Sequence, residues 1–379
     1  MTTVGIGMVG HAFMGRAHSH GWRSVGPFFA PPLTPVLAAL AGRDAERAGA
    51  AARALGWAAV ETDWKALLRR DDVQLIDICT PGDTHAEIAV AALEAGKHVL
   101  CEKPLANSVA EAETMAAAAA RAAERGVRSM VGFNYRRIPA VTLARKLVAD
   151  GRIGTVRHVR AQYLQDWLAD AGAPFTWRMD KDRAGSGALG DIGAHAVDAA
   201  QFVTGQTVTG VSALLDTFVG ERPVPGGGTA RVTVDDAAVF IGRTSGGALA
   251  SFEASRVAAG RKNALRIEVA GSAGSLFFDL EALNELWFHD AAEDAATAGF
   301  RRILVTEPVH EYAGAWWPPG HLLGYEHTFT HQFADLLTAI DAGTDPAPSF
   351  ADGLQVQRVL AAVQDSAAGG AWTPVERSV

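Results

Sequence analysis

Short apolar runs and helical stretches alternate through the first third of the chain. Residues 4–9, 36–41, 73–79, 98–101 and 129–133 are dominated by apolar side chains, as in strands of a parallel sheet covered on both faces. Between them, apolar positions recur at helical spacing up to about Ser24, over 45–55, over 64–69 behind a candidate N-cap at Asp63, over 85–95 ahead of Gly96, and over 108–125. The segment 26–35 carries several prolines and is expected to be an irregular loop. Proline removes a backbone donor that a helix interior or a central strand needs. Strand–helix repetition over residues 1–134 predicts a doubly wound parallel α/β sheet.

The pattern changes after residue 134. An amphipathic helix at 139–150 reads as the hinge element. Runs with strand character then follow one another at 156–164, 208–215, 238–244, 248–255, 264–270 and 275–280, with glycine turns at 245–247 and 271–274. Consecutive strands of this kind predict an α+β domain over 135–379, built on a large, open, mostly antiparallel sheet. Residues 223–228 and 299–320 are expected to be irregular; the second stretch carries Trp316 and Trp317 and is read as a lid or a subunit contact. Helices expected at 321–342 and 352–367 pack back on the body of the protein. No internal repeat is visible.

Composition narrows the classes. Hydrophobic residues make up 49% and charged residues 20% of the 379, an ordinary balance for a folded chain of two domains. A net charge of −8 with no basic block argues against nucleic acid or an anionic membrane as partner. No stretch has the length and apolarity of a membrane span. The first strand starts at Val4, too early for a signal peptide, and the only cysteines, Cys79 and Cys101, lie at the ends of apolar runs. A reducing, cytoplasmic setting without disulfides is expected.

The first domain carries nucleotide chemistry. Residues 10–15, GHAFMG, sit between a strand and a helix, the context of a Rossmann dinucleotide site. Gly10 suits the tight turn and Gly15 the close packing of helix on strand. Ala12 stands at the usual middle glycine. Amides at the helix start, around Phe13 and Met14, would receive a pyrophosphate. At the end of the second strand, Gly42-Arg43 stands where NAD sites usually carry an acidic residue for the ribose, and no acidic residue lies between Arg16 and Arg43. NAD or NADP is therefore expected, with a lean towards NADP. Lys103, just past a strand and directly before Pro104, is read as held and partly desolvated, which would bring its pKa towards neutrality and suit proton transfer. His18 and His20 are not read as a metal pair, since residues two apart on a helix point apart; no metal site is expected.

Residues 184–198, AGSGALGDIGAHAVD, concentrate the polar chemistry of the second domain. Helical spacing places Asp191 and His195 on one helix face, where a carboxylate can set an imidazole for proton transfer. A satisfied core histidine and a metal pair at this spacing are alternative readings.

Taken together, GHAFMG, Thr80-Pro81 with His85, Glu102-Lys103-Pro104, Phe133-Asn134-Tyr135-Arg136 and GDIGAH resemble the Gfo/Idh/MocA oxidoreductases over nearly the whole chain. Residues 163–167 (YLQDW), Trp177-Arg178 and 349–353 (SFADG) are most similar to the levoglucosan dehydrogenases and neighbouring sugar and inositol dehydrogenases of that family. The resemblance implies Lys103, Asp191 and His195 as catalytic residues in the cleft between the domains. It implies Thr80, Pro81, His85, Glu102, Lys103, Asn134, Trp177 and Arg178 as cofactor contacts beside Gly10, Ala12, Phe13, Met14, Gly42 and Arg43. Tyr135, Gln165, Asp166 and Trp167 join Asp191 and His195 as expected contacts to a sugar, anhydrosugar or inositol. A homodimer or homotetramer through the C-terminal sheet is also implied. The expected reaction interconverts a ring secondary alcohol and a ketone by hydride transfer. An NAD(P)-dependent glycosidase and a non-catalytic nucleotide sensor are the alternatives on the same fold.

Overall fold

The first strand of the structure, a computed structural model that describes residues 2–376, lies at the centre of a six-stranded parallel sheet. The strands are β1 (Thr2–Val9), β2 (Leu33–Ala41), β3 (Ala59–Glu61), β4 (Leu75–Ile78), β5 (His98–Cys101) and β6 (Ser129–Val131), in the order β3-β2-β1-β4-β5-β6. Helices α1 (Phe13–Phe29), α2 (Ala45–Leu55), α3 (Trp64–Leu68), α4 (His85–Glu94) and α5 (Val109–Ala123) connect them. This is the doubly wound order, and its direction reverses between β1 and β4, where such sheets take their ligands. Asp63 caps α3, accepting from the Lys65 amide at 3.0 Å, and Ser108 with Glu111 forms a capping box on α5.

The proline-rich segment departs from expectation. Helix α1 runs on to Phe29 with Pro27 inside it, and β2 begins at Leu33 with Pro35 inside the strand. Pro27 falls in the last turn, and Phe29 rests edge-on against His331, with ring centroids 5.5 Å apart. Pro35 pairs with Val4 on one side only, because β3 reaches no further along β2 than Ala39. A proline is tolerated where its missing donor faces no neighbour. The short strand β3 has too few residues to show a period and was not expected.

A second unit comprises, among the described residues, 135–323 and 355–376. It holds α6 (Pro139–Ala149), β7 (Val156–Leu164), α7 (Lys181–Ala184), a π-helical turn at Leu189–Gly193, α8 (Ala194–Thr204) and β8 (Val208–Asp216). A hairpin of β9 (Glu221–Pro223) and β10 (Thr229–Arg231) follows. Then come β11 (Ala237–Thr244), β12 (Leu249–Ser255), β13 (Ala264–Gly271), β14 (Gly274–Asp279), β15 (Glu285–Asp290) and β16 (Arg301–Leu304). With β17 (Thr373–Pro374) they form a nine-stranded sheet, β16-β15-β14-β13-β7-β12-β11-β8-β17, in which only β7 and β12 run parallel. Strand β16 lies inside the stretch expected to be irregular, and β15 was not expected. Helices α6 and α8 cover one face. On the other, Leu214, Val239, Ile241 and Leu249 are each more than half exposed.

Residues 324–354 rejoin the first unit rather than the rest of 135–379. Helix α9 (His327–Ala342) starts later than the expected residue 321, after a loop, and packs against α1. Gly21 allows the approach: a Cβ there would lie 2.6 Å from the Phe333 ring. Trp22 and Phe333 stack with centroids 3.9 Å apart, and both are buried. Helix α10 (Phe350–Gly369) follows. No helix among the described residues is long and apolar enough to cross a membrane. Cys79 and Cys101 are free and buried.

Because Phe333 is fully buried and seats α9 on α1, Phe333→Ala is expected to destabilise the N-terminal unit by about 3–5 kcal/mol. Urea denaturation followed by circular dichroism checks this, through a lower midpoint for the variant.

Candidate active site

The N-terminal unit presents its functional loops at the carboxyl ends of β1, β2, β4 and β5. Gly10 holds φ 98°, a conformation that favours glycine, and a Cβ at Gly15 would lie 2.3 Å from the Gly10 carbonyl oxygen. Helix α1 therefore begins directly over the turn. Its N-cap, Ala12, makes no side-chain cap bond, and no acidic residue occupies the first turn. The amides around Phe13 and Met14 and the positive end of the helix dipole fit a pyrophosphate. At the end of β2, the His11 ring fills the space that a side chain at position 42 would need, 2.7 Å from an added Cβ on Gly42. Arg43 is exposed, and Asp44 caps α2 by accepting from the Arg47 amide.

Past β4 and β5, two loops are tied together by one imidazole. The buried His85 ring lies 2.9 Å from the Thr80 carbonyl through Nε2 and 3.0 Å from the Pro104 carbonyl through Nδ1. The Thr84 hydroxyl donates to Thr80 Oγ1 at 2.7 Å, and Pro81 begins the short turn between them. Lys103 is half-buried. The Glu102 carboxylate turns inward: Oε1 lies 3.0 Å from His18 Nε2, and Oε2 accepts the Lys103 amide at 3.2 Å. Asn134 is also buried and donates to the Thr328 hydroxyl at 2.7 Å.

In the C-terminal unit, Asp191 lies within the π turn and His195 in the first turn of α8. The expected continuous α-helix from Asp191 to Asp198 is thus a π turn running into an α-helix. A buried carboxylate holds the glycine-rich approach to it. Asp235 accepts the Gly187 amide at 2.7 Å and the Leu189 amide at 2.8 Å, while its carbonyl accepts the Ala188 amide at 3.0 Å. A Cβ at Gly187 would lie 1.7 Å from that carbonyl oxygen, so the approach requires glycine. Burial pushes the Asp235 pKa up, and the two amides work in the opposite direction.

Two arginines flank Asp191. Its Oδ2 lies 3.8 Å from Arg256 Nη1 and 4.0 Å from Arg178 Nε. Arg256 is fully buried; burial lowers its pKa, against the opposing charges of Asp191, Asp235 and Asp236. Its guanidinium lies 5.6 Å from the Trp167 ring centre, and that of Arg178 lies 4.5 Å from the Trp177 ring centre. His195 is buried against Tyr135 and Tyr163, with ring centroids 4.5 and 5.9 Å away. The two phenol oxygens are 2.9 Å apart, and Tyr163 donates to Asn263 Oδ1 at 2.7 Å. Gln165 donates to the same oxygen at 2.7 Å and accepts from Trp167 Nε1 at 2.9 Å.

These bonds join the expected Tyr135, Gln165, Trp167, Arg178, Asp191 and His195 into one group. Asp166 is directed elsewhere: it pairs with Lys262 at 2.7 Å and accepts the Gly260 amide, and the Lys262 bond lowers its pKa. Sequence reasoning missed Arg256, Asn263, Asp235 and His18 as members of these clusters. Arg256 is signalled only as a charge ending an alternating strand pattern, and Asn263 only as a polar residue ahead of one. The group combines fixed donors and acceptors with aromatic faces, a carboxylate between two arginines and an imidazole against two phenols.

Residues 4–133 match the oxidoreductase family model described as an NAD-binding Rossmann fold, and residues 141–277 match the GFO/IDH/MocA C-terminal domain. Levoglucosan dehydrogenase of Pseudarthrobacter phenanthrenivorans is 40% identical, with 99% of both chains aligned. The crystal structure of an oxidoreductase domain protein from Kribbella flavida superposes with a TM-score of 0.98 at 68% identity, covering 100% of both chains. A structure of levoglucosan dehydrogenase in complex with NADH and L-sorbose superposes with a TM-score of 0.96 at 40% identity, again over 100% of both chains. The chain belongs to the Gfo/Idh/MocA family of oxidoreductases.

Proposed function

We propose that the protein is an NAD-dependent dehydrogenase that oxidises a ring secondary alcohol of an anhydrosugar, sugar or inositol to the ketone. The observation that carries this reading is the group formed by Asp191 between Arg178 and Arg256 and by His195 against Tyr135 and Tyr163. It supplies a proton acceptor together with fixed polar contacts for neighbouring hydroxyls. The similarity to levoglucosan dehydrogenase makes levoglucosan the first substrate to test.

NAD, when bound, supplies the hydride acceptor. His195 takes the hydroxyl proton as the carbon loses its hydride, so that an alcohol leaves as a ketone and one proton. Lys103 donates a hydrogen bond to the same oxygen and stabilises the negative charge that develops there. Asp191 accepts from an adjacent hydroxyl and fixes the ring. In this reading Thr80, Pro81, Trp177 and Arg178 would hold the nicotinamide, and Gly10, Ala12, Phe13 and Met14 would hold the pyrophosphate.

NAD rather than NADP is the working cofactor in this reading. The lean towards NADP rested on Gly42-Arg43, and neither the family description nor the NADH complexes of the relative support it. The exposed Arg43 leaves NADP as a secondary cofactor. The apolar face of Leu214, Val239, Ile241 and Leu249 supports a homo-oligomer assembled through the C-terminal sheet. The free Cys79 and Cys101 support a reducing, cytoplasmic setting.

Turnover of levoglucosan, L-sorbose and myo-inositol, followed as NADH absorbance at alkaline pH, tests the reading. Net cofactor reduction is the expected outcome, and release of free sugar without it would favour a glycosidase. Lys103→Ala and His195→Asn should each lower kcat at least about a hundredfold while NADH still binds; near wild-type turnover would remove the residue from the mechanism. Arg43→Ala should weaken NADP binding and leave NAD binding unchanged, as isothermal titration with each nucleotide will show. Ile241→Glu places a charge in the apolar face and should yield monomers in light scattering, whereas an unchanged mass would exclude that face as the interface.

A further inference from the structure

His18 occupies α1 one turn beyond the nucleotide turn, with its ring fully buried. Nδ1 lies 2.9 and 3.0 Å from the two oxygens of Asp77 on β4, and Nε2 lies 3.0 Å from Glu102 Oε1 beyond β5. Both partners are carboxylates. A neutral imidazole has one N–H and would leave one of these close contacts without a proton, whereas the imidazolium donates to both. Burial opposes the charge, but the Asp77 carboxylate holds the His18 pKa well above its ordinary value.

The other faces of the ring are accounted for. From α1, Trp22 Nε1 donates to Asp77 Oδ2 at 2.8 Å. From α9, the uncharged rings of Phe329 and Phe333 close on His18 at 5.2 and 5.3 Å. Beyond β4, the Cys79 thiol donates to Asp77 Oδ1 at 3.6 Å, and Cys101 precedes Glu102; burial pushes both thiols up. His18, Asp77 and Cys79 are close enough to ligate one ion. However, their polar atoms are already bonded to one another, and a metal would need the thiolate that this environment disfavours. The cluster reads as a hydrogen-bonded network.

The network ends on the backbone of Lys103. Glu102 Oε2 accepts the Lys103 amide at 3.2 Å. Gly132 leaves room for the carboxylate: a Cβ there would lie 2.8 Å from Glu102 Oε1. We propose that His18 is a positioning residue for Lys103, bridging Asp77 and Glu102 as an imidazolium and so fixing the backbone from which Lys103 projects. The proposal rests on the reading of Lys103 as a catalytic group.

The test uses the full chain with NADH bound for spectroscopy and NAD with levoglucosan for turnover. In wild type, nitrogen NMR of ring-labelled histidine should show both His18 nitrogens protonated at pH 7. A neutral ring at pH 7 would overturn the bridge. His18→Gln should lower kcat roughly ten- to hundredfold with the NADH Kd little changed, since a catalytic group is misplaced rather than removed. A kcat near wild type would overturn the positioning role.

Stability supplies a second readout. The folded-state pKa is raised, so the contribution of His18 is complete below its unfolded value of about 6.5 and fades as pH rises through the folded value. The Tm difference between wild type and His18→Gln should therefore be largest at acidic pH and narrow at alkaline pH; a difference independent of pH would contradict the bridge. Should His18→Gln fail to fold, Glu102 provides the comparison. Glu102→Gln keeps an acceptor for the Lys103 amide and should retain about tenfold more kcat than Glu102→Ala, whereas equal losses would sink the clamp. If Lys103→Ala itself retained turnover, the catalytic role of Lys103 would fall and the positioning role with it. The NMR and Tm measurements would still report separately on the imidazolium.

Discussion

The close approach of α1 to the end of β1 is the constraint on which the N-terminal unit depends. Gly15 passes so near the Gly10 carbonyl that any side chain would collide with it. That contact sets the axis of α1, and the axis decides what lies further along the helix. One turn on, His18 meets the carboxylates at the ends of β4 and β5; one turn beyond that, Trp22 bonds Asp77 and stacks on Phe333. The turn suited to a pyrophosphate and the buried charge network under Lys103 are consequences of one helix placement. Helix α9 seals the network with aromatic rings, which exclude water and strengthen each charged hydrogen bond inside.

A comparable device holds the segment that carries Asp191 and His195 in the C-terminal unit. Three consecutive amides, from Gly187 to Leu189, are gathered by Asp235, and glycine at 187 is required for the chain to come so close. The π turn that follows rotates Asp191 into the field of Arg178 and Arg256. Inserting one residue into a helical turn is a common way to redirect a functional side chain, and here it separates the carboxylate from the run of α8 that carries His195. In both units the buried charges named here have partners suited to a low-dielectric interior: His18 meets Asp77 and Glu102, and Asp235 accepts two backbone amides.

Much of this was legible in the sequence, for physical reasons. Strands buried on both faces are mostly apolar, even though β4 carries the buried Asp77, so the parallel sheet could be read from the succession of apolar runs. Glycines at 10 and 15 between a strand and a helix reflect a steric requirement that few other turns share. The proline-rich segment misled, because a proline in a strand is excluded only where its missing donor would have had a partner, and Pro35 lies where β2 has no outer neighbour. Pro27 instead forgoes one backbone bond in the last turn of α1, after which the helix ends; neither placement is local to the sequence.

The sequence by itself determined the two-part architecture, the nucleotide turn and the identity of Lys103, Asp191 and His195 as candidates, since each follows from residue type and short-range spacing. Only the tertiary structure decided that residues 324–354 return to the first unit, that Asp235 holds the approach to Asp191 and Arg256 flanks it, and that His18 joins Asp77 to Glu102. These pairings span tens to hundreds of positions, and a buried polar residue carries no mark of its partner. Its need for one is a property of the interior it is folded into, where every donor and every charge must be met by whatever the fold brings alongside.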